Sequence, residues 1–268
     1  MTAGKAARIE RIGTGGRHVI IPMDHGITMG AVKGLADIES TIDAVTSGGA
    51  DAVLTQRGIA PRVHDSKNDA GYIVHLNGST NIGPDEMDKR PTGTVEDAVR
   101  AGADAVSFHI NVGSEYEPDQ ITQLSEVTSA ADRLGMPTLA MTYARGHDVR
   151  DDDPEAFAED LGHAARLGEE LGADLIKTAY SGTPETFERV VESTRLPVVI
   201  AGGSKGTDGE TLAMVRGAMD AGAAGVSMGR SIFQHDDPGA IAAAVAAVVH
   251  DDAGASEAVE RSGLAVEV

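Results

Sequence analysis

One short phrase recurs four times in the sequence, and it constrains the fold more than any other feature. In each copy a helix-like stretch ends at a glycine and passes within two or three residues into an apolar, β-branched run. Glycine suits the left-handed position just beyond the end of a helix. The phrase therefore marks the junction between a helix and the next strand, and its recurrence predicts a repeating βα unit. The four copies span residues 48–53, 101–106, 171–176 and 221–226.

Eight short apolar runs alternate with helical stretches along the chain. They are apolar on both faces, as buried parallel strands are. Eight such units in 268 residues match a TIM (β/α)8 barrel, an α/β fold, and no domain boundary interrupts residues 1–268, so a single domain is expected. The alternative is an open doubly wound sheet, which would want a Gly-x-Gly-x-x-Gly turn that is missing after the first run. The predicted strands are residues 18–24, 51–56, 72–77, 105–111, 138–143, 175–180, 197–202 and 225–229.

The segments between the strands differ in how clearly they predict structure. Helices are expected over residues 154–171 and 208–221, and a short helix near the end of the chain is expected to finish close to Gly263. Residues 57–72 have weak periodicity, and residues 78–91 are rich in Gly, Pro and Asn. Both are predicted to be loops on the catalytic face of the barrel.

Composition excludes several classes of function. Cysteine is absent, which excludes disulfides, thiolate catalysis and Cys–metal sites. No stretch approaches the roughly 20 apolar residues of a membrane span, and the start lacks an apolar signal region, so a cytoplasmic protein is expected. The formal net charge of −20 repels nucleic acid and anionic membranes. An acidic, lysine-poor composition resembles that of proteins from salt-accumulating archaea; the alternative is an acidic mesophilic protein.

Lys177 stands out because lysine is scarce. The chain has six lysines against sixteen arginines, and Lys177 lies inside the apolar run 173–180. Burial disfavours the charged form of an amine and favours the nucleophilic free amine, which imine-forming enzymes require. The alternative is a lysine at a strand end whose ammonium group reaches water.

Polar residues follow other predicted strands on the face where a TIM barrel keeps its active site. Asp24 ends strand 1 and Tyr143 ends strand 5, while Lys177 belongs to strand 6. One amine, one carboxylate and one phenol suit imine chemistry, since the amine attacks a carbonyl and the acidic groups move protons. The alternatives are an aspartate that caps a turn and a core tyrosine whose hydroxyl reaches the rim.

The ends of strands 7 and 8 have the elements of a phosphate site. Gly202, Gly203 and Gly229 let backbone N–H groups approach an anion, and Lys205 and Arg230 supply positive charge. Barrels commonly bind phosphate at these two strands. Each residue alone is consistent with a glycine turn beside a solvated basic side chain, but their coincidence on adjacent strands favours phosphate.

A metal site is the alternative to imine chemistry on this face of the barrel. His25, His75 and His109 lie in or just after strands 1, 3 and 4 and could together bind zinc. No His-Glu-x-x-His or other close ligand spacing accompanies them, so no metal is expected. A carboxylate pair for glycoside hydrolysis is not expected either, because most acidic residues fall on predicted helix surfaces.

Taken together, these residues resemble a known family, the archaeal class I aldolases of the DhnA type, and within it the branch of 2-amino-3,7-dideoxy-D-threo-hept-6-ulosonate synthases. The resemblance covers nearly the whole chain in the same order. The matching segments are Ile-Pro-Met-Asp-His-Gly at 21–26, Asn-Val-Gly-Ser at 111–114, Tyr-Ala-Arg-Gly at 143–146, Ile-Lys-Thr-Ala-Tyr-Ser-Gly at 176–182, Ala-Gly-Gly-Ser-Lys at 201–205 and Gly-Arg-Ser-Ile-Phe-Gln-His-Asp-Asp at 229–237.

The resemblance implies a role for each matching residue. Lys177 matches the lysine that forms the Schiff base, Tyr143 the proton donor and Asp24 the proton acceptor. Two departures, Ala144 and Ser204, replace prolines usual in the family, which would loosen the loops without removing a chemical group. The implied substrate contacts are Asp24, His25, Gly26, Ile27, Thr28, Tyr143, Ala144, Arg145, Lys177, Gly202, Gly203, Lys205, Gly229 and Arg230.

The family has two main activities, and the resemblance implies an enzyme that uses a covalent imine on lysine, with no metal and no separate cofactor. One activity cleaves fructose 1,6-bisphosphate. In the other, 6-deoxy-5-ketofructose 1-phosphate expels hydroxypyruvaldehyde phosphate, and the remaining fragment joins L-aspartate semialdehyde on an alternative route to 3-dehydroquinate and the aromatic amino acids. Residues 22–24 and 109–114 resemble the synthase branch more closely, so the synthase is predicted and the bisphosphate aldolase is the alternative.

A hypothesis of another class is a catalytically silent barrel that binds a sugar phosphate as a sensor. The joint presence of Lys177, Tyr143 and Asp24 argues against it. The resemblance also implies a homo-oligomer, with a decamer of stacked rings as one form. The expected partners are a phosphorylated ketose and L-aspartate semialdehyde, rather than nucleic acid or a membrane.

Overall fold

The computed structural model of the chain describes residues 1–203 and 206–264, and at its centre eight parallel strands form a closed barrel. Each barrel strand pairs with its neighbour in sequence, and the last pairs with the first, where His18 is in register with Gly225. The TIM-barrel prediction is therefore confirmed, and the open doubly wound sheet is excluded. The strands are β1 (His18–Pro22), β2 (Ala52–Gln56), β3 (Gly71–His75), β4 (Ala105–Val112), β5 (Thr138–Ala144), β6 (Leu175–Thr178), β7 (Val198–Ala201) and β8 (Gly225–Ser227).

Helices follow the strands and pack their apolar sides against the barrel. The helices expected over residues 154–171 and 208–221 and the one expected near Gly263 are confirmed as α7, α9 and α12. Among the described residues, no helix is both long and apolar enough to span a membrane. The helices are α1 (Ala3–Ile9), α2 (Gly26–Met29), α3 (Ile38–Ser47), α4 (Ala60–Ser66), α5 (Val95–Arg100), α6 (Glu117–Arg133), α7 (Pro154–Glu170), α8 (Pro184–Glu192), α9 (Asp208–Asp220), α10 (Arg230–Phe233), α11 (Pro238–Asp251) and α12 (Ala255–Ser262).

The prediction of a loop over residues 57–72 is wrong. A 3₁₀ turn, Arg57–Ile59, leads directly into α4, with a proline in the first turn, where a missing N–H has no intrahelical partner to lose. On α4 only Ala60 and Val63 are buried. Two buried positions are too few to produce a recognisable helical period in the sequence.

The segment 78–91 is largely irregular, as predicted. Its two ends pair as a short antiparallel ribbon of Asn77–Gly78 with Arg90–Pro91. Asn77 fixes the base of this loop, because its amide donates to the backbone carbonyl of His109 at 2.8 Å and accepts from the backbone N–H of His109 at 3.0 Å. The loop is thereby tied to β4, one of the strands that surround the cavity of the barrel.

The glycine of the recurring phrase has the backbone conformation expected of a helix end. The φ angle is +96° at Gly49, +72° at Gly102, +85° at Gly172 and +87° at Gly222. Only glycine adopts this left-handed region without steric cost. The four junctions therefore turn in the same way and direct four strands into the barrel.

The aspartate of the phrase ties neighbouring strands together. The carboxylates of Asp51, Asp104 and Asp174 accept hydrogen bonds from backbone N–H groups at the start of the preceding strand, at 2.6, 3.0 and 3.0 Å. Each carboxylate also meets a basic side chain. The three pairs are Asp51 with His250 at 2.9 Å, Asp104 with Arg11 at 3.0 Å and Asp174 with Lys5 at 3.0 Å.

Successive side chains of each strand point to opposite faces of the barrel, so the buried side chains form two sets. One set faces the helices, and the other fills the barrel interior, with Ile12 closing its lower end. The interior set becomes polar toward the carboxyl ends of the strands. His75 and Lys177 are each two residues beyond an apolar interior position, and His109 is two residues beyond the buried Ser107. The lower interior is thus a packed core, and the upper interior is a polar site. The apolar interior residues are Ile12, Ile20, Ala52, Leu54, Ile73, Ala105, Leu139, Met141, Tyr143, Leu175 and Val199.

Candidate active site

A cavity of about 470 Å³ opens at the carboxyl ends of the barrel strands and brings most of the predicted site residues together. Gly26 begins α2 and is not part of the cavity wall. Lys205 and Ser204 lie outside the described residues. The predicted residues that line the cavity are Asp24, His25, Ile27, Thr28, Tyr143, Ala144, Arg145, Lys177, Gly202, Gly203, Gly229 and Arg230.

Lys177 reaches the cavity because of its position in β6. It lies two residues after Leu175, so it shares the inward face of the strand, and it is in register with Met141 on β5 and Val199 on β7. The side chain is only 6% exposed. No hydrogen bond or ion pair within the described residues holds its amine, which is therefore free to react with a carbonyl carbon.

Asp24 follows β1 by two residues and lies among three basic groups. Its carboxylate oxygens are 3.5 Å from Nδ1 of His25 and 3.7 Å from Nε2 of His75. Burial alone would raise the pKa of Asp24, but the neighbouring basic side chains of His75, His25 and Lys177 outweigh it and lower the pKa below its usual value. Asp24 is consequently a carboxylate at neutral pH, which suits a proton acceptor.

His75 is held as a neutral ring. Its Nδ1 is 2.7 Å from the hydroxyl of Ser107 on β4, and the side chain is almost fully buried. Burial lowers the pKa of His75 to about 4, although the carboxylate of Asp24 opposes this. A neutral imidazole facing Asp24 provides a hydrogen-bonding group without adding a fixed charge to the cavity.

Tyr143 lies across the cavity at the end of β5. Its ring centroid is 5.0 Å from that of His109, and the guanidinium carbon of Arg145 lies 4.4 Å from the ring centre. Nε2 of His109 is 2.8 Å from the amide oxygen of Asn111. The contacts with Arg145 and His109 hold the Tyr143 ring at the cavity wall.

The ends of β7 and β8 approach each other as a backbone cradle. A side chain at Gly229 would put its Cβ 2.6 Å from His25 and 2.8 Å from the carbonyl of Pro22, so only glycine fits there. Arg230 donates to the carbonyl of Gly203 at 3.1 Å and so links the two strand ends. The hydroxyls of Ser227 and Ser231 are buried and have no partner among the described residues. The cradle thus combines close backbone approach, a guanidinium and unused hydroxyl donors, all of which suit an anion.

Several residues of the cavity wall are not predicted from the sequence as substrate contacts. Lys89 is the most consequential, since it is buried and comes from the loop 78–91. The scarcity of lysine that singled out Lys177 applies equally to Lys89, but no strand pattern surrounds it. Other lining residues that were not predicted as substrate contacts include His75, His109, Asn77, Glu86, Asp151 and Ser227.

His25, His75 and His109 all line the cavity, and two of them, His25 and His75, share Asp24 as a neighbour. His75 contacts Ser107 and Asp24, His109 contacts Asn111, and His25 packs edge-on against Phe233 with ring centroids 5.1 Å apart. Within residues 1–203 and 206–264, no three His, Cys, Asp or Glu side chains are placed to hold a metal ion.

Comparison with known proteins decides the family. Residues 18–235 match the model of the DeoC/LacD family aldolases. The chain belongs to this family. The chain is therefore an enzyme of the aldolase type.

Two synthases and one solved aldolase structure are similar to this chain over most of its length. The chain is 66% identical to the 2-amino-3,7-dideoxy-D-threo-hept-6-ulosonate synthase of Halobacterium salinarum, over 99% of this chain and 98% of that protein. It is 42% identical to 2-amino-3,7-dideoxy-D-threo-hept-6-ulosonate synthase 1 of Archaeoglobus fulgidus, over 97% of this chain and 96% of that protein. The structure of an archaeal fructose-1,6-bisphosphate aldolase, with its catalytic lysine covalently bound to the carbinolamine intermediate of the substrate, has a TM-score of 0.83 at 32% identity and covers 91% of this chain and 99% of that one.

Proposed function

We propose that this aldolase is a 2-amino-3,7-dideoxy-D-threo-hept-6-ulosonate synthase that works through an imine on Lys177. The observation that carries the proposal is the 66% identity to the Halobacterium salinarum synthase over nearly the whole of both chains. The cavity supports it, because Lys177, Asp24 and Tyr143 line one space at the barrel mouth. In this proposal the enzyme is a transferase of the transaldolase type.

The first half of the reaction begins with attack of the Lys177 amine on the C5 carbonyl of 6-deoxy-5-ketofructose 1-phosphate. Loss of water gives a protonated imine at C5. Asp24 then removes the proton of the C3 hydroxyl, the C3–C4 bond breaks, and its electron pair moves into the imine to leave an enamine. The expelled fragment, C1 to C3, is hydroxypyruvaldehyde phosphate.

The second half joins the enamine to the acceptor. The enamine carbon C4 attacks the aldehyde carbon of L-aspartate semialdehyde, and Tyr143 donates a proton to the aldehyde oxygen. Water then adds to the new imine, and Lys177 is released as the free amine.

Substrate binding is proposed for the residues that the resemblance assigned. The backbone at Gly202, Gly203 and Gly229, with the guanidinium of Arg230, is proposed to hold the phosphate of the donor. The support is the close approach of the two strand ends and the unused hydroxyls of Ser227 and Ser231 beside them. His25, Ile27, Thr28, Ala144 and Arg145 are proposed to contact the remaining parts of the two substrates from the cavity wall.

A second candidate function is cleavage of fructose 1,6-bisphosphate. It is favoured by the TM-score of 0.83 to an archaeal fructose-1,6-bisphosphate aldolase, but the sequence identity in that pair is 32%, about half of that to the synthase. Both functions use the same lysine. They differ in the donor sugar and in the need for an acceptor.

The test is borohydride trapping followed by peptide mass spectrometry. The protein is incubated in parallel with 6-deoxy-5-ketofructose 1-phosphate and with fructose 1,6-bisphosphate. The expected result is an adduct on Lys177 from the deoxy-ketose, with product only after addition of L-aspartate semialdehyde. Trapping and cleavage of the bisphosphate alone would select the second function, and no adduct from either sugar would overturn the imine mechanism.

The domain organisation, the assembly and the salt dependence of the protein are proposed as well. We propose that residues 1–268 form one domain and that the protein assembles as a homo-oligomer, of which a decamer of stacked rings is one form. Light scattering coupled to gel filtration measures the assembled mass. The acidic composition, with a net charge of −20, also predicts that the protein works at high salt.

A further inference from the structure

The loop 78–91 places a buried ammonium group in the cavity without an anionic partner. Lys89 is 7% exposed, and its Nζ donates to the hydroxyl of Ser79 at 2.8 Å, but it forms no ion pair within the described residues. Burial lowers the pKa of Lys89, and the carboxylate of Glu86 only partly offsets this. A buried charge with one neutral partner costs free energy, which suggests that an anionic ligand completes the site.

The loop holds Lys89 in position before any ligand arrives. The carbonyl of Met87 accepts hydrogen bonds from the amides of Asn111 at 3.0 Å and Gln120 at 2.7 Å, and from the backbone N–H of Lys89 at 2.8 Å. The chain beside Lys89 is therefore anchored to β4 and α6. An anchored amine loses little conformational freedom on binding, so it is suited to a ligand-binding role.

A second cation lies on the same side of the cavity. Arg145 stacks on the ring of Tyr143 and forms no ion pair within residues 1–203 and 206–264. Its charge acts on Lys89, since it contributes to lowering the pKa of that amine. Lys89, in the loop 78–91, and Arg145, just after β5, thus form a positive area beside the proposed proton donor, whereas the cradle that contains Arg230 lies at the ends of β7 and β8.

The chemistry of the proposed acceptor matches this area. During C–C bond formation the aldehyde oxygen of L-aspartate semialdehyde must face Tyr143, and its carboxylate is only three bonds from the aldehyde carbon. The same molecule carries an ammonium group, and Glu86 lines the cavity close enough to act on Lys89. An area that presents both signs of charge suits a zwitterion, whereas the cradle at Arg230 presents hydrogen-bond donors suited to phosphate.

We infer that Lys89, together with Arg145, binds the carboxylate of the amino-acid acceptor, while Glu86 faces its ammonium group. The inference rests on the proposed function, because it takes L-aspartate semialdehyde as the acceptor. It assigns donor and acceptor to separate cation sites. The phosphate of the donor lies at the Arg230 cradle, and the acceptor carboxylate lies at Lys89. A separate site prevents the acceptor from competing with the phosphate of the donor.

The experiment compares three acceptors with wild-type enzyme and the Lys89→Met variant. The acceptors are L-aspartate semialdehyde, 3-aminopropanal, which lacks the carboxylate, and succinate semialdehyde, which lacks the ammonium group. Lys89→Met should raise KM for both carboxylate-bearing acceptors by about tenfold or more, and leave KM for 3-aminopropanal within about twofold. Lys67→Met, just after α4, is the matched control and should leave all three KM values unchanged. Lys89→Arg keeps the positive charge and should restore part of the preference for acceptors that carry a carboxylate.

Two results would overturn the inference. One is an equal loss of activity with all three acceptors in Lys89→Met, since that indicates only a structural role. The other is loss of the preference for carboxylate in Arg230→Ala but not in Lys89→Met, since that places the carboxylate at the phosphate cradle.

Calorimetric titration with L-homoserine keeps this inference distinct from the proposed synthase function. L-Homoserine has the acceptor's carbon skeleton, carboxylate and ammonium group, with an unreactive hydroxyl. Binding to the wild type that Lys89→Met weakens about tenfold or more supports the acceptor site even when no synthase product forms. Equal binding to both proteins, or none to the wild type, would refute the site even when the synthase reaction proceeds.

Discussion

The two ends of the barrel use charged residues in opposite ways. At the lower rim, where the strands begin, the carboxylates of Asp51, Asp104 and Asp174 each bind a backbone N–H and a basic side chain. At the upper end, where the strands finish, Lys177 has no hydrogen-bonding partner among the described residues. Paired charges hold the strands in register, and charges left without a partner are available to a substrate. Stability and chemistry are therefore separated along the barrel axis.

Three lysines are buried among the described residues, and comparing them makes this difference explicit. Lys5, Lys89 and Lys177 are 5%, 7% and 6% exposed, so burial does not distinguish them. Lys5 forms ion pairs with Asp174 at 3.0 Å and Asp132 at 3.3 Å, Lys89 has one hydroxyl partner, and Lys177 has none within residues 1–203 and 206–264. A structural lysine in this protein therefore differs from a reactive one in its partners. Replacing lysine with methionine at each end of the barrel, at Lys177 and at Lys5, tests this difference.

The largest effect is expected at the upper end. Lys177→Met keeps the length of the side chain and removes the nucleophile, so turnover should fall by more than about 1,000-fold. The free energy of unfolding should not decrease, because a buried amine without a partner is replaced by an apolar group. Steady-state kinetics and guanidinium unfolding measure the two quantities. Activity of about a tenth of wild type would show that another group forms the covalent intermediate.

The same substitution at the lower end should have the opposite outcome. Lys5→Met leaves the carboxylate of Asp174 buried, with the N–H of Thr138 as its one remaining partner among the described residues, so the free energy of unfolding should fall by about 3–5 kcal/mol. The kcat of the folded enzyme should be unchanged. Lys33→Met, which removes an exposed ion pair with Asp236, is the control and should cost less than about 1 kcal/mol. A loss of kcat in Lys5→Met without a loss of stability would contradict the separation of the two ends.

A smaller effect is expected from pH. The pKa of His75 is lowered to about 4 by burial, whereas a histidine in the unfolded chain has its usual pKa of about 6.5. Between these values the unfolded chain binds a proton that the folded protein does not. Stability is therefore complete above about pH 6.5 and declines as the pH falls toward 4, by roughly 3 kcal/mol from this residue. In His75→Gln the decline should be smaller by that amount, as measured by urea unfolding at several pH values. The control, His147→Gln, changes an exposed histidine and should keep the wild-type decline.

Much of the fold could be predicted because its signals are local. The glycines at 49, 102, 172 and 222 are required by the φ angle of a single residue, and the apolar runs are required by burial of single strands. The helix α4 was missed since only two of its side chains are buried, which leaves no period to read. The recurring phrase predicts a junction between a helix and a strand, but it does not predict the hydrogen bonds that its aspartate forms with the preceding strand.

The sequence by itself determined the βα repeat, the scarcity that singles out Lys177, and the polar residues at the strand ends, because these depend on neighbours within a few positions. Only the tertiary structure decided which of them share a cavity. It placed Lys177, Asp24 and Tyr143 together, left Gly26 outside the cavity wall, and brought in Lys89 from a loop. The physical reason is barrel closure, which joins strands 1 and 8 and sets the inward face of each strand through pairing between distant parts of the chain.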